Sequence, residues 1–99
     1  MSAFLIFHST VRDPEKFQIY VSSVPATLKP FGGSLLTRGK SAKVLSGQHK
    51  HPTVGILKFS DLNQAHGWYE SEAYQALISN RDAAAEMTIV SYEEPENPS

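Results

Sequence analysis

The chain has 99 residues and a mass of 10.9 kDa, too short for two separate cores when domains cluster at about 100–150 residues. With 40% hydrophobic and 19% charged residues and a net charge of −1, it lacks the basic stripe that neutralises phosphates, so no nucleic-acid partner is expected. The absence of cysteine excludes disulfides and thiolate chemistry and fits a reducing, cytoplasmic setting.

Residues 3–11, "AFLIFHSTV", are β-branched and aromatic and give a first strand; the apolar run has no positive leader and is far below membrane-spanning length, so no membrane association is expected. In "DPEKFQIYVSSVPATLKPFGG", Asp13 is placed to cap a helix and Pro14 to occupy its first turn, while Phe17, Tyr20, Val21, Val24 and Leu28 share one face. That helix is expected to reach about Lys29, with a kink at Pro25, and to stop at Pro30, Gly32 and Gly33. "SLLTR" reads as a second strand and "TVGILKFS" as a third, joined by the long connection "GKSAKVLSGQHKHP". Asp61 then caps a helix whose buried side holds Leu62, Ala65 and Tyr69 with Trp68 at the edge, and Ser71 caps a second one, "EAYQALISNRDAAA". "MTIVSY" is the fourth strand, and the last residues, 93–99, form a flexible acidic tail beyond a single domain over 1–92.

The order β-α-β-β-α-β predicts an α+β fold of the ferredoxin-like, split βαβ kind: an antiparallel sheet with its helices on one face. Alternation along the strands assigns Leu5, Phe7, Leu35, Thr37, Leu57, Phe59, Thr88 and Val90 to the helix-covered face. Phe4, Ile6, His8, Leu36, Arg38, Val54, Ile56, Lys58, Met87, Ile89 and Ser91 then fall on the bare face. A bare face this apolar calls for a cover, and a second copy of the chain is the simplest one, so a homodimer is expected.

"DPEKF-x-x-Y", "GG-x-x-L-x-R-G" and "WY-x-S-x-x-Y-Q-x-L-x-x-x-R", in this order, resemble the domain-of-unknown-function 1330 family within the dimeric α+β barrel superfamily, over roughly residues 3 to 92. Glu72 stands where that family often has proline, and a glutamate suits a positive helix N-terminus equally well. The resemblance implies a dimer whose sheet faces meet to form a barrel-like interior. Related families include cofactor-independent monooxygenases, haem-degrading enzymes and lactone isomerases, a kinship of fold that assigns no reaction.

Among side chains with chemistry, His8, Arg38 and Lys58 are grouped on the bare face, where charge among apolar residues requires a partner. A pocket for a small organic acid satisfies them: Arg38 forks a carboxylate and His8 moves a proton. The alternative is a set of structural ion pairs across a dimer. Tyr20, Tyr74 and Arg81 are assigned as further substrate contacts, against a purely core role for the tyrosines and a salt bridge for Arg81. The expected protein is therefore a homodimer with an interior pocket for a small anionic or polar metabolite and no cofactor. A monooxygenase or isomerase with His8 and Arg38 as catalytic groups is the enzymatic alternative, and a purely structural dimer the third.

Three motifs are set aside. "RGKS" lacks the glycine spacing of a phosphate loop; His49 and His51 in "HKH" lack the further ligands of a closed metal site; and His66 with Glu70 is a common surface spacing on a helix.

Overall fold

The computed structural model describes residues 1–96. The strands are β1 (Ala3–Val11), β2 (Ser34–Lys40), β3 (Thr53–Phe59) and β4 (Ala85–Glu93), and the helices α1 (Pro14–Leu28), α2 (Leu62–Glu70), α3 (Glu72–Gln75) and α4 (Ile78–Ala84), with a 3₁₀ turn over Lys29–Phe31. The sheet order is β2-β3-β1-β4, every neighbouring pair antiparallel. This is the expected ferredoxin-like arrangement. Of the predicted acidic tail, Glu93 ends β4, Glu94 N–H donates to the Ser2 carbonyl at 2.8 Å, and residues 97–99 lie outside the described residues.

Local sequence explains where the helices begin and end. The Asp13 carboxylate accepts from Lys16 N–H at 3.1 Å and that of Asp61 from Gln64 N–H at 2.8 Å, each satisfying an otherwise orphaned amide. The chain leaves the 3₁₀ turn through Gly32, whose φ of 66° an L side chain resists. Gly33 is required for space: a Cβ there would stand 2.5 Å from the Phe59 ring and 2.9 Å from Leu28.

The helical region after β3 falls into three pieces where the sequence predicts two. The break at Ser71 is as expected, with extended ψ of 149° and a hydroxyl that donates to the Trp68 carbonyl and accepts from Tyr74 N–H. A second break follows at Ala76–Leu77, where Leu77 N–H closes a tight bond to the Tyr74 carbonyl and Leu77 takes ψ of −9°, the bridge region that ends a helical run.

The core lies between the helices and one sheet face. Leu5, Phe7, Leu57 and Phe59 meet Tyr20 and Leu28 of α1, Ala65 and Trp68 of α2, and Tyr74 of α3. Trp68 is 0% exposed and so lies at the centre, contrary to its expected place at the edge. Its ring packs at a tilt 4.3 Å from that of Tyr74 and 5.8 Å from Phe59, and its indole N–H donates to Thr27 Oγ1 at 2.9 Å, tying α2 to α1.

Two face assignments read from alternation are corrected by the pairing. On β4, Met87, Ile89 and Ser91 stand opposite Ser9, Phe7 and Leu5, so they share the helix-covered face; Thr88 and Val90, opposite His8 and Ile6, lie on the other. Ala85, Met87 and Ile89 alternate with Glu86, Thr88 and Val90, and the pairing puts the more apolar set under the helices. On β2 the register slips by one residue at Leu36: Leu35 faces Leu57, yet Thr37 faces Ile56 and Arg38 faces Gly55. Such a bulge inverts every side chain beyond it, which sends Thr37 to the bare face and Arg38 to the helix side.

Because Trp68 joins two helices and the sheet, Trp68→Ala should lower the free energy of unfolding by about 3–5 kcal/mol. Urea titration followed by circular dichroism measures this, and a loss below 1 kcal/mol would contradict the central position.

Candidate functional site

Between α1 and the β2–β3 side of the sheet lies an open cavity of about 670 Å³. Its roof is the inner face of α1, with Phe17, Val21 and Val24, and its floor is formed by Leu57, Gly55 and Leu35. The bulge at Leu36 brings Arg38 and Lys40 to its border, both exposed and, among the described residues, without an ion pair. Gly55 sits directly opposite Arg38 on one side and Phe7 on the other, and a Cβ at this position would meet nothing within 4 Å. Glycine weakens a strand interior, and here its missing side chain leaves floor space beside a cation. Ser9 contributes a buried hydroxyl to the same wall.

At the far side of α1, Tyr20 links this wall to a buried polar cluster. The Tyr20 and Tyr74 hydroxyls are 2.8 Å apart, and Arg81 Nη1 donates to both Tyr74 and Tyr69 hydroxyls at 3.1 Å. Arg81 Nε reaches Asp82 at 3.1 Å, and its side chain is only 13% exposed. Burial pushes the Tyr20 phenol far above its ordinary value, reinforced by the nearby Tyr74, and burial also raises that of Tyr74. Burial works against the Arg81 charge, but the bonds to Tyr69 and Tyr74, the proximity of Tyr74 and the contact with Asp82 outweigh it and leave its pKa raised. Tyr20 and Tyr74 therefore stay neutral beside a permanent cation, and with Tyr69 the cluster ties α1, α2, α3 and α4 to one another.

The six residues singled out in the sequence thus separate into three places. Arg38 borders the cavity; Tyr20 lines it while giving its hydroxyl to Tyr74, which with Arg81 belongs to the inter-helix cluster. His8 and Lys58 stand on the opposite sheet face, opposite Val54 and Phe4 respectively. The grouping of His8 with Arg38 at one site is corrected on that ground: the bulge puts the sheet between them. Gly55, Ser9 and Lys40 were not singled out, and only the glycine carries a signal, as an interruption in the strand run "TVGILKF".

Helices packed on one face of a four-stranded antiparallel sheet, with a cavity beneath α1, define a ferredoxin-like α+β protein. Residues 2–94 match the family described as a domain of unknown function, DUF1330, and the chain belongs to it. No curated protein matches the chain. Among solved structures it is similar to a protein of unknown function from Rhodopseudomonas palustris, at 14% identity and a TM-score of 0.79 over 98% of this chain and 84% of that one. It is also similar to a dimeric ferredoxin-like protein of unknown function from Jannaschia sp. CCS1, at 9% identity and a TM-score of 0.76, covering 95% of this chain and all of the other (100%). SnoaB, a cofactor-independent oxygenase from Streptomyces nogalater, is similar at 12% identity with a TM-score of 0.68, over 97% of this chain and 95% of that chain. At these identities the likeness is one of fold.

If the tyrosine cluster is an anchor, Tyr74→Phe should cost about 1–3 kcal/mol, because Arg81 loses an acceptor and Tyr20 a partner in a buried setting. Adding Tyr20→Phe on that background should cost less than it does in the wild type, by about 0.5–3 kcal/mol in a double-mutant cycle. Additive losses would mean that the two hydroxyls are not coupled.

Proposed function

We propose that the protein is a homodimeric binder of a small organic acid with an apolar body. The observation that carries this reading is the cavity under α1, apolar along its length, open over Gly55, and bordered by Arg38 and Lys40 without carboxylate partners among the described residues. An apolar enclosure with a few convergent polar groups suits a small molecule, and a guanidinium beside it suits a carboxylate. Among the residues lining the cavity there is no carboxylate and no imidazole, and the Tyr20 hydroxyl is already bonded to Tyr74. General acid–base chemistry therefore has less support than binding, although SnoaB shares the fold.

The dimer has separate support. The uncovered sheet face carries Phe4, Ile6, Val54, Ile56, Val90 and Tyr92, the last two 36% and 48% exposed. A contiguous apolar face of this kind is uncommon on a monomer. The similar Jannaschia protein is dimeric.

Decanoate serves as a probe of the acid site. It should raise the melting temperature of the wild-type protein, since a ligand that binds the folded state alone stabilises it. Arg38→Ala should reduce that shift, by about 0.2–1 kcal/mol of binding as for an exposed charge pair, while keeping its unliganded melting temperature. Gly55→Val should lose it, by filling the floor, while keeping or raising the unliganded stability because valine favours a strand. Equal stabilisation of all three proteins would overturn the site.

Light scattering after size exclusion should give about twice the mass of one chain at micromolar concentration, as a standard-sized interface requires. Lys58→Glu, which changes a charge on the uncovered face, should shift the dimer towards monomer without altering decanoate binding within one chain. A monomeric wild type would remove the dimer and leave the cavity reading standing.

A further inference from the structure

The connection from β2 to β3 does not hang free at the sheet edge. Its last residues reach past β3 to β1 and β4, where His51, only 5% exposed, sits with Nδ1 at 2.9 Å from Thr10 Oγ1 and Nε2 at 3.4 Å from Thr88 Oγ1. Beside it the His49 ring lies edge-on to His8 of β1, ring centres 5.0 Å apart, and 6.1 Å from His51. The histidine pair that appears isolated in the sequence thus acquires a third imidazole from the first strand. His8 Nδ1 is enclosed and has no hydrogen-bond partner among the described residues. Among those residues no three metal-ligating side chains converge on a common point, so the trio is not arranged as a metal centre.

We propose that His8, His49 and His51 form a proton-sensitive latch, which holds residues 41–52 across the end of the uncovered sheet face while the rings are neutral and releases them in mild acid. The loop supplies Lys43 and Lys50, the latter's Nζ 3.3 Å from the Glu86 carboxylate of β4; beyond β1, Arg12 donates to the Asp82 carbonyl; β3 supplies Lys58, which lies opposite Phe4; and Arg38 of β2 is on the other side of the sheet. Glu86, opposite Thr10, is thus the one carboxylate on this face near the trio among the described residues, and it is occupied by Lys50. The threonine hydroxyls can accept from a charged His51 as readily as they exchange with a neutral one, so these two bonds survive protonation. The cost falls on His8, where a proton on Nδ1 finds no acceptor, and on like charges brought within about one ring spacing of each other.

Burial holds the His8 pKa below the usual 6.5, and the neighbouring His49 and His51 lower it further. An unfolded or released His8 therefore takes up its proton first as the pH falls. The latched state is fully favoured above pH 6.5, loses stability between 6.5 and the lower folded value, and changes no further below it.

The test is a titration of the 99-residue chain from pH 8 to 4.5 by NMR, with the imidazole Cε1–H shifts read together with backbone heteronuclear NOEs. His8 should titrate with a midpoint below 6.5. The NOEs of residues 42–51 should fall from strand-like values to those of a mobile loop over the same pH range, while the cross-peaks of β1 and β4 persist. His49→Gln should move the His8 midpoint upward, towards the value of a free imidazole. A loop whose NOEs are unchanged across the range, a His8 midpoint at or above 6.5, or a midpoint unmoved by His49→Gln would each overturn the latch. None of these readouts uses a ligand, so the outcome is independent of the acid-binding cavity.

Discussion

Pairing register is the constraint on which this molecule depends. Side chains on neighbouring antiparallel strands share a face only if they stand opposite each other, so the ladder decides which chemical groups can meet. β1 fixes the frame: its alternation of buried and half-buried residues from Ala3 to Thr10 is transmitted to β3 and β4 rung by rung. At β2 the frame shifts by one residue at Leu36, and with it Arg38 passes from the face of His8 to the face of Tyr20. One unpaired residue thereby determines that the cavity has a cation at its border.

The helices are held to this frame by a column of aromatic rings that continues into a polar cluster. Phe59, Trp68, Tyr74 and Tyr20 form successive contacts from the floor of the sheet to the far helix, with ring separations of 5.8, 4.3 and 6.3 Å. At its end the hydroxyls meet Arg81, which keeps its charge because it donates to two phenols and reaches Asp82. A largely buried arginine satisfied mainly by phenol oxygens is rigid in orientation, since its planar fork leaves few alternatives once its donors are engaged. The aromatic side chains of "WYESEAYQALISNR" and its arginine are thus engaged with one another and with Tyr20.

The element order and most boundaries were legible from sequence because they rest on local chemistry: Asp13 and Asp61 as caps, Gly32 as a left-handed exit, and Ser71 as a break. The faces of β1 and β3 were legible because each has large apolar residues next to polar ones. β4 was misread although Ala85, Met87 and Ile89 alternate with Glu86, Thr88 and Val90, a signal that reverses at Ser91 and Tyr92, where the larger residue lies on the other face. The bulge was silent. "SLLTR" has two adjacent leucines, both 55% exposed, and nothing in their chemistry says which one leaves the ladder. The side of the sheet that Arg38 takes was therefore not legible, because the bulge alone decides it.

The two sides of the sheet are consequently under different physical rules. On the helix side, removal of a side chain at Gly55 and a one-residue slip at Leu36 open an apolar space next to permanent positive charge, whose attraction for an anion is nearly independent of pH around neutrality. On the other side the groups near β1 are imidazoles, whose charge changes within that same range. Since β1 and β3 contribute residues to both, with Phe7 and Gly55 at the cavity and His8 on the other face, the strands are common to both environments. Yet a peptide ladder is stiff along its hydrogen bonds, and loss of a loop from one face leaves the register intact. On the proposed latch, acid would therefore alter the uncovered face while the Arg38 side keeps its shape, although the two regions lie back to back on the same strands.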